Sequence, residues 1–365
     1  MPFGNLYRGK RVLVTGHTGF KGSWLCEWLL LLGANVTGYS IDVPTTPALF
    51  EQLGLTSRLR DCRGDVRDSA ALAALVNNCK PDFVFHLAAQ PLVRLSYEKP
   101  VETWQVNVIG TVNLMEALRT LEQPCAALMI TTDKCYENRE WVHGYREEDR
   151  LGGHDPYSSS KAACEIAISA WQKSFFKHHP VRIASARAGN VIGGGDWAQD
   201  RIVPDSIRAL AQGSPIPVRN PSATRPWQHV LEPLSGYLWL AACLAAPHLS
   251  SNGTALCSPF NFGPGHDANR TVGELVSTLL HTWPGKWLDG SSPGAPHEAG
   301  MLHLSTDKAL SFLQWRSVWN FDQTIARTAS WYRQAHDGTD TQTLTRDDIA
   351  AYITAAVESE VRWVA

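Results

Sequence analysis

Tyr157 and Lys161 stand four residues apart in Asp155-Pro156-Tyr157-Ser158-Ser159-Ser160-Lys161, a segment that opens a helix running to about Phe176. Residues at that spacing share one helix face. A free phenol has a pKa near ~10 and is a poor base at neutral pH. A lysine ammonium beside it in a desolvated cleft lowers that value. Such a tyrosine can take a proton from a hydroxyl while the carbon bearing it gives hydride to a nicotinamide. Thr132, at the end of an apolar strand, is placed to orient the same hydroxyl. Alone, a Y-x-x-x-K spacing also describes an ordinary surface pair, and the stretch upstream decides between the two.

That stretch is Lys10 to Leu25. Val12-Leu13-Val14 is a short apolar run of the kind buried on both faces. Gly16, Gly19 and Gly22 follow, then a helix carrying Trp24, Leu25, Trp28, Leu29 and Leu32. Strand, glycine turn and helix form the first half of a βαβ unit. The turn lets the backbone approach a pyrophosphate, and the helix N-terminus offers it free N–H groups and partial positive charge. Glycines alone say little, but between a strand and a helix they predict a dinucleotide site.

The elements that must hold these groups follow in order. Gly33 to Ser40 reads as a second parallel strand. Ser40 stands where a dinucleotide site usually has an acid for the ribose, and the nearest acid is Asp42, so NAD and NADP both remain open. Gly64-Asp65-Val66-Arg67-Asp68 ends a third strand. An Asp there can accept from the adenine amino group or cap the helix Ser69–Asn78. A fourth strand, Pro81 to Gln90, ends in small residues that leave room for a cofactor, and its His86 is read as a packed residue. A helix over Asn107–Leu121 has Val108, Val112, Met115 and Leu118 at helical spacing, and Ala126–Thr132 is a fifth strand. The charged run Arg146 to Arg150 is expected to be solvated, and Val181–Ala186 is a sixth strand. Strands alternating with helices predict an α/β fold, a Rossmann-type doubly wound parallel sheet. From residue 190 the texture becomes irregular. The expected division is a dinucleotide-binding domain over 1–189, rejoined by a segment near 230–263, and a smaller mixed α/β substrate domain over 190–365.

Length and composition bound the rest. A chain of 365 residues can bury a large core. A net charge of −2 gives no electrostatic case for nucleic acid or an anionic membrane, although local arginines can bind a phosphorylated small molecule. The eight cysteines are scattered with no C-x-x-C pair, which argues against a zinc site and suits a reducing cytoplasm. The first residues show no signal-peptide pattern, and the apolar stretches Trp24–Leu32 and Leu234–Ala246 are too short to span a bilayer.

These residues together resemble the extended short-chain dehydrogenase/reductases of the nucleotide-sugar branch. The match rests on Thr15-Gly16-x-x-Gly19-Phe20-x-Gly22, Asp65-Val66, Leu87-Ala88-Ala89, Thr132, Tyr157, Lys161 and Asn190. Four segments resemble the CDP-glucose 4,6-dehydratase family within it: Thr15 to Trp24, Ala88 to Arg94, Thr132 to Asn138 and Gly193 to Trp197. Arg219-Asn220-Pro221, Thr224 to Val230 and Pro296-His297-Glu298-Ala299 extend the likeness through the second half.

The resemblance implies a cofactor, NAD, held by Gly16, Thr18, Gly19, Phe20, Lys21, Gly22, Ser40, Asp65, Val66, Leu87, Ala88, Ala89, Tyr157 and Lys161. It implies CDP-glucose as substrate, with Gln90, Arg94, Asn190, Arg201, Arg219, Arg225 and His297 as candidate contacts, and no metal. It also implies a homodimer, or that dimer doubled to a homotetramer, whose helices near 107–121 and 156–176 form a four-helix bundle. The reaction would be an early step toward deoxy sugars of surface polysaccharide. Asp133-Lys134 is the discriminating pair. A 4,6-dehydratase needs an acid to expel the C6 hydroxyl, and Asp133 can be that acid if its site raises its pKa. Lys134 is either the base at C5, if neutral, or a cation that stabilises the enolate. The alternatives are an epimerase or reductase of the same superfamily, which this pair disfavours, and a nucleotide-sensing protein, which has no use for Tyr157 and Lys161.

Overall fold

The computed structural model describes residues 1–250, 255–291 and 301–365. Seven strands form its main sheet: β1 (Arg11–Thr15), β2 (Asn35–Ser40), β3 (Arg60–Arg63), β4 (Phe83–His86), β5 (Cys125–Ile130), β6 (Val181–Ala188) and β7 (Pro259–Phe262). Their order is β7-β6-β5-β4-β1-β2-β3, and every neighbouring pair is parallel. The chain therefore starts in mid-sheet, winds outward to β3, then crosses back to β4 and winds the other way. The reversal between β1 and β4 opens a crevice beyond the C-terminal strand ends, where doubly wound sheets bind ligands.

Helices cover both faces, as parallel strands require. α1 (Phe20–Leu31) follows the glycine turn. α2 (Ser69–Cys79) is capped by Asp68, which accepts from the Ala71 N–H at 2.9 Å. The helix expected from Asn107 begins earlier, at Pro100, because proline suits a first helical turn. It passes through a π turn (Gln105–Ile109) into α3 (Gly110–Leu118). α4 (Pro156–Trp171) carries Tyr157 and Lys161 and also runs into a π turn, at Gln172–Phe176.

Six strands lie before residue 190, and the seventh comes from well beyond it. After α5 (Ile202–Ala211), the helix α6 (Leu231–Ala245) packs against the sheet and leads to β7. α6 is buried on nearly all sides, which is why its sequence shows an unbroken apolar run and not a stripe. Five of the tryptophans, Trp24, Trp28, Trp315, Trp331 and Trp363, are among the largest fully buried side chains. Phe3 stacks on Trp363 with centroids 4.9 Å apart, so the two chain ends close over α1 together. The rest of the C-terminal half adds three two-stranded pairs and further helices beyond the strand ends.

One expectation is corrected here. The charged run Arg146–Arg150 is not wholly solvated, because Glu147 is buried and its Oε1 accepts from the Asn261 N–H at 2.8 Å. Asn261 lies in β7, an edge strand, and an edge N–H that is buried needs a partner. All eight cysteines are unpaired. No described helix is long and apolar enough to cross a membrane.

Candidate active site

The glycine turn is a tight cradle. Gly16 has φ +74°, and a Cβ there would come within 2.6 Å of the Ala88 nitrogen. A Cβ on Gly22 would come within 2.1 Å of the Gly16 carbonyl oxygen, so α1 can approach the turn only through glycine. The N-terminus of α1 has no side-chain cap, so its first N–H groups have no side-chain partner and are available to a ligand. β1 and β4 are tied at this point: Thr15 Oγ1 accepts from the Ala88 N–H at 3.2 Å and bonds His86 Nδ1 at 2.7 Å. His86 Nε2 reaches Thr111 Oγ1 at 3.1 Å, and burial pushes the imidazole down to about 3, so it is a neutral packed residue. These close approaches are what a diphosphate-binding turn requires.

The ribose end departs from the usual pattern in a specific way. The Ser40 hydroxyl bonds His17 Nδ1 at 2.8 Å, and His17 Nε2 bonds Asp61 Oδ1 at 2.9 Å. The acid missing from the end of β2 is thus matched by one on the neighbouring strand β3, reached through His17. Thr18 Oγ1 donates to the Asp42 carbonyl at 2.7 Å, while the Asp42 side chain is exposed. Asp65 accepts from the Arg67 backbone at 2.8 Å and from its guanidinium at 2.5 Å, and Val66 packs against Gly110.

The candidate reacting groups meet at the strand ends. Thr132 caps the short turn Asp133–Cys135 that leaves β5, and its hydroxyl donates to Asp133 Oδ1 at 2.9 Å. Asp133 is 2 % exposed, and its Oδ2 has no hydrogen-bond partner among the described residues. Burial raises its pKa above the usual carboxylate range, against the opposing pull of Lys134, Thr132, Arg225 and Lys21. Gly189 leaves the space beside this oxygen, since a Cβ there would sit 2.9 Å from Oδ2. Lys134 follows, half-buried. Tyr157 interacts with both Thr132 and Asp133. The expectation that Lys161 draws the phenol down is not met by the chain by itself. Burial raises the Tyr157 pKa, the Thr132 hydrogen bond opposes it, and burial lowers that of Lys161 as well. Desolvation opposes charge on either group when each has little compensating charge nearby.

α4 is held firmly beneath these side chains. Asp155 caps it through the Ser158 N–H at 2.9 Å, and the Tyr157 N–H donates to Ser96 Oγ at 3.2 Å. Asn107 was not singled out by its sequence context, yet it bridges the crevice loop to α4. Its Oδ1 accepts from the Gln90 N–H at 2.8 Å, and its Nδ2 donates to Ser160 Oγ at 2.9 Å. A polar residue inside an apolar helical stripe was the one available signal. The Gln90 amide itself braces its own loop through Leu92 and Thr103.

The candidate arginines approach from the other half of the chain. Arg201 donates to Asp196 Oδ2 at 2.8 Å and lies near Tyr157 and Lys21. Burial and Arg201 push the Lys21 ammonium down to about 8. Arg94 and Arg219 converge on one carboxylate, Asp200, at 3.1 and 2.7 Å. Arg225 donates to the Thr224 carbonyl at 2.8 Å and is close enough to Asp133 to hold its carboxyl down. Asn190 leads out of β6, and its carbonyl accepts from the Gln228 N–H at 3.3 Å. His297 lies outside the described residues. No cluster that could hold a metal occurs among the described residues.

Comparison with known proteins joins this geometry to a family. The family model described as GDP-mannose 4,6 dehydratase matches residues 13–248. The chain belongs to that family. Among its relatives, the CDP-glucose 4,6-dehydratase of Salmonella typhimurium is 46 % identical over 96 % of this chain and 98 % of its own length. The probable dTDP-glucose 4,6-dehydratase of Sinorhizobium fredii is 26 % identical, covering 88 % and 92 %. Of solved structures, the dTDP-glucose 4,6-dehydratase of Streptomyces venezuelae, with NAD bound, superposes with a TM-score of 0.76 at 22 % identity, covering 90 % and 98 %. The Thermus thermophilus UDP-glucose 4-epimerase, in complex with NAD, has a TM-score of 0.74 at 24 % identity, covering 89 % and 99 %. Members of this dehydratase family and epimerases share the fold, so fold alone does not separate their reactions.

Proposed function

We propose that this protein converts CDP-D-glucose to CDP-4-dehydro-6-deoxy-D-glucose and water, using NAD that is regenerated in each turnover. The observation that carries this is Asp133, a buried carboxyl with an unpartnered oxygen beside Tyr157. An epimerase needs proton transfer at the C4 hydroxyl only. Expelling the C6 hydroxyl needs a second acid, and burial keeps Asp133 in its acid form to higher pH than an ordinary aspartate.

Tyr157 takes the proton of the C4 hydroxyl, with Lys161 beside it and Thr132 orienting the oxygen. Bound in the glycine cradle, NAD would supply the hydride chemistry between C4 and C6. The C4 ketone acidifies the C5 hydrogen. As that proton is removed, Asp133 donates its own proton to the C6 oxygen, which leaves as water and gives a C5=C6 alkene. With C6 reduced by that hydride, a proton delivered to C5 would complete the product. Lys134 is adjacent and serves as the C5 base in its neutral form or as a cation that stabilises the enolate. The cradle of Gly16, Gly19 and Gly22 with Thr18, Phe20, Lys21, Ser40, Asp65, Val66 and Leu87-Ala88-Ala89 would hold the cofactor. Arg94, Asn190, Arg201, Arg219 and Arg225 would hold the substrate, its diphosphate above all, with His297 a further contact.

The same proposal includes a homodimer. Val101, Trp104 and Ile109 on the helix leading into α3, with Ile166 on α4 and Phe175 in the turn after it, are all exposed. A helix pair with this much apolar surface suits a bundle with a second copy. A cytoplasmic site is supported by the unpaired cysteines. The deciding experiment incubates purified protein with NAD and a panel of nucleoside-diphosphate glucoses. A keto-sugar signal in alkali, greatest with CDP-glucose and without net cofactor reduction, is expected. Net cofactor consumption would mean a reductase, and no keto sugar from any donor would end the proposal.

A further inference from the structure

We infer that Tyr136 is a positioning residue for the Asp133–Lys134 turn, clamped between Arg187 and Asn261, and that it serves elimination at C6 and not oxidation at C4. The inference rests on the dehydratase proposal and assigns a role to residues that the proposed chemistry does not touch.

Tyr136 closes the turn that carries the acid: its N–H donates to the Asp133 carbonyl at 3.3 Å. Its side chain is 1 % exposed, and the hydroxyl is doubly engaged. It accepts from Arg187 Nη1 at 2.7 Å and donates to Asn261 Oδ1 at 2.8 Å. One face of the ring meets the Arg187 guanidinium, whose central carbon is 4.9 Å from the ring centroid. Tyr145 stacks on the ring at 5.1 Å. Both partners are themselves fixed. Arg187, 2 % exposed, donates its second arm to Glu165 Oε2 at 2.9 Å and its first also to the Glu147 carbonyl at 3.0 Å. Asn261 Nδ2 donates to the carbonyls of Tyr145 at 2.8 Å and Ser305 at 3.1 Å. One end of the clamp is a buried ion-paired guanidinium and the other a buried amide, and each holds position because moving would break the bonds that fix it.

The division of labour follows from what each tie reaches. Tyr157 and Lys161 are placed by α4, through the Asp155 cap, the Ser96 bond and the Asn107–Ser160 bond. None of these touches Tyr136. Glu165 lies one turn past Lys161 and supports both α4 and Arg187, so it belongs to both halves of the reaction. Tyr136 touches the turn directly and α4 only through Arg187, which Glu165 holds in place without it. Removing its hydroxyl loosens the far end of the turn and the aim of Asp133, while α4 stays in place.

The test uses Tyr136→Phe in the full chain, with two substrates. CDP-glucose reports the whole reaction as keto sugar. CDP-6-deoxyglucose has no C6 hydroxyl to expel, so it reports oxidation alone, as the absorbance of reduced nicotinamide. We expect keto-sugar formation to fall about tenfold or more, the scale on which small misplacements act, with oxidation of the 6-deoxy sugar within about twofold of the parent. Arg187→Lys keeps a cation beside Glu165 but loses the fork to Tyr136, and it should show the same split. Solvent-deuterium incorporation at C5 should fall with keto-sugar formation. Equal loss of both activities, unchanged activities, or a Tyr136→Phe protein that does not fold would each overturn the inference. If the parent protein makes no keto sugar but binds NAD, the dehydratase proposal has failed instead.

Discussion

Thr132 donates its hydroxyl hydrogen to Asp133 Oδ1 at 2.9 Å, and the opposite oxygen of the same carboxyl is buried with no partner among the described residues. A hydroxyl has one hydrogen to give, and Thr132 gives it to Asp133 while the Tyr157 phenol lies close by. The residue proposed to orient the C4 hydroxyl is thus coupled to the residue proposed as the acid at C6.

Asp133→Asn should keep C4 oxidation and lose elimination. Keto-sugar formation from CDP-glucose is expected to drop about 10²–10⁴-fold, the usual contribution of a general acid. Burial raises the Asp133 pKa, so the acid form is present below that raised value and the elimination rate declines as pH rises through it. The alkaline limb of the pH–rate profile should disappear in the variant. A limb that persists would belong to another group.

Tyr157→Phe should abolish the first step. The ring and its packing survive, and only the proton acceptor is lost. Oxidation of CDP-6-deoxyglucose is expected to fall about 10²–10⁴-fold. Reduction of NAD at the parent rate would remove Tyr157 from its role as base.

Arg225→Ala should act mainly on KM. A diphosphate contact made in ground and transition states alike leaves kcat little changed. Loss of one charge-assisted bond costs about 1.5–3 kcal/mol, roughly ten- to a hundredfold. Unchanged KM and unchanged inhibition by CDP would exclude Arg225 from the site. Arg219 and Arg94 differ, because Asp200 holds both and a diphosphate would have to displace it. Asp200→Asn should therefore lower the KM for CDP-glucose, by up to about fivefold for such exposed pairs. A raised KM would show that Asp200 orients the arginines instead of competing for them.

NAD should bind more tightly than NADP. The strand register places Arg63 beside Ser40, a cation that the segment Tyr39–Pro44 does not contain. Its guanidinium is held by Asp61 at 2.7 Å, so it is neutralised as a seat for a 2′-phosphate. Asp61→Asn should narrow the preference in direct binding titrations. Equal affinities in the parent protein would mean that Arg63 or Lys21 already serves the phosphate.

Val101→Asp combined with Ile166→Asp should yield monomers in sedimentation. Both positions are exposed in the single chain, at 69 % and 61 %, so the substitutions should leave the fold within about 0.5 kcal/mol of the parent. A variant that remains dimeric would place the interface elsewhere.

Much of the sheet was legible because its determinants are local. Val12-Leu13-Val14 before Gly16, and α1 after it, follow from apolar runs and from a turn only glycine can make. Tyr157 and Lys161 stood out by helical spacing once the glycine turn upstream was read with them. The start of the α3 stretch was displaced from Asn107 to Pro100, because a π turn breaks the periodicity between them. Glu147 was misread because nothing in a run of charges shows which member meets the edge strand.

The sequence by itself determined the winding of the first six strands and the cradle, and it named the candidate reacting groups, since each depends on residues close together along the chain. Tertiary structure decided what those groups are worth. It buried Asp133, paired Ser40 with His17 and Asp61, and set Arg94 and Arg219 on one carboxylate. It also brought β7 to β6, and with it Asn261 to Tyr136. Desolvation and hydrogen-bond pairing depend on which distant segments share a volume. The spacing of residues along a chain carries no record of that.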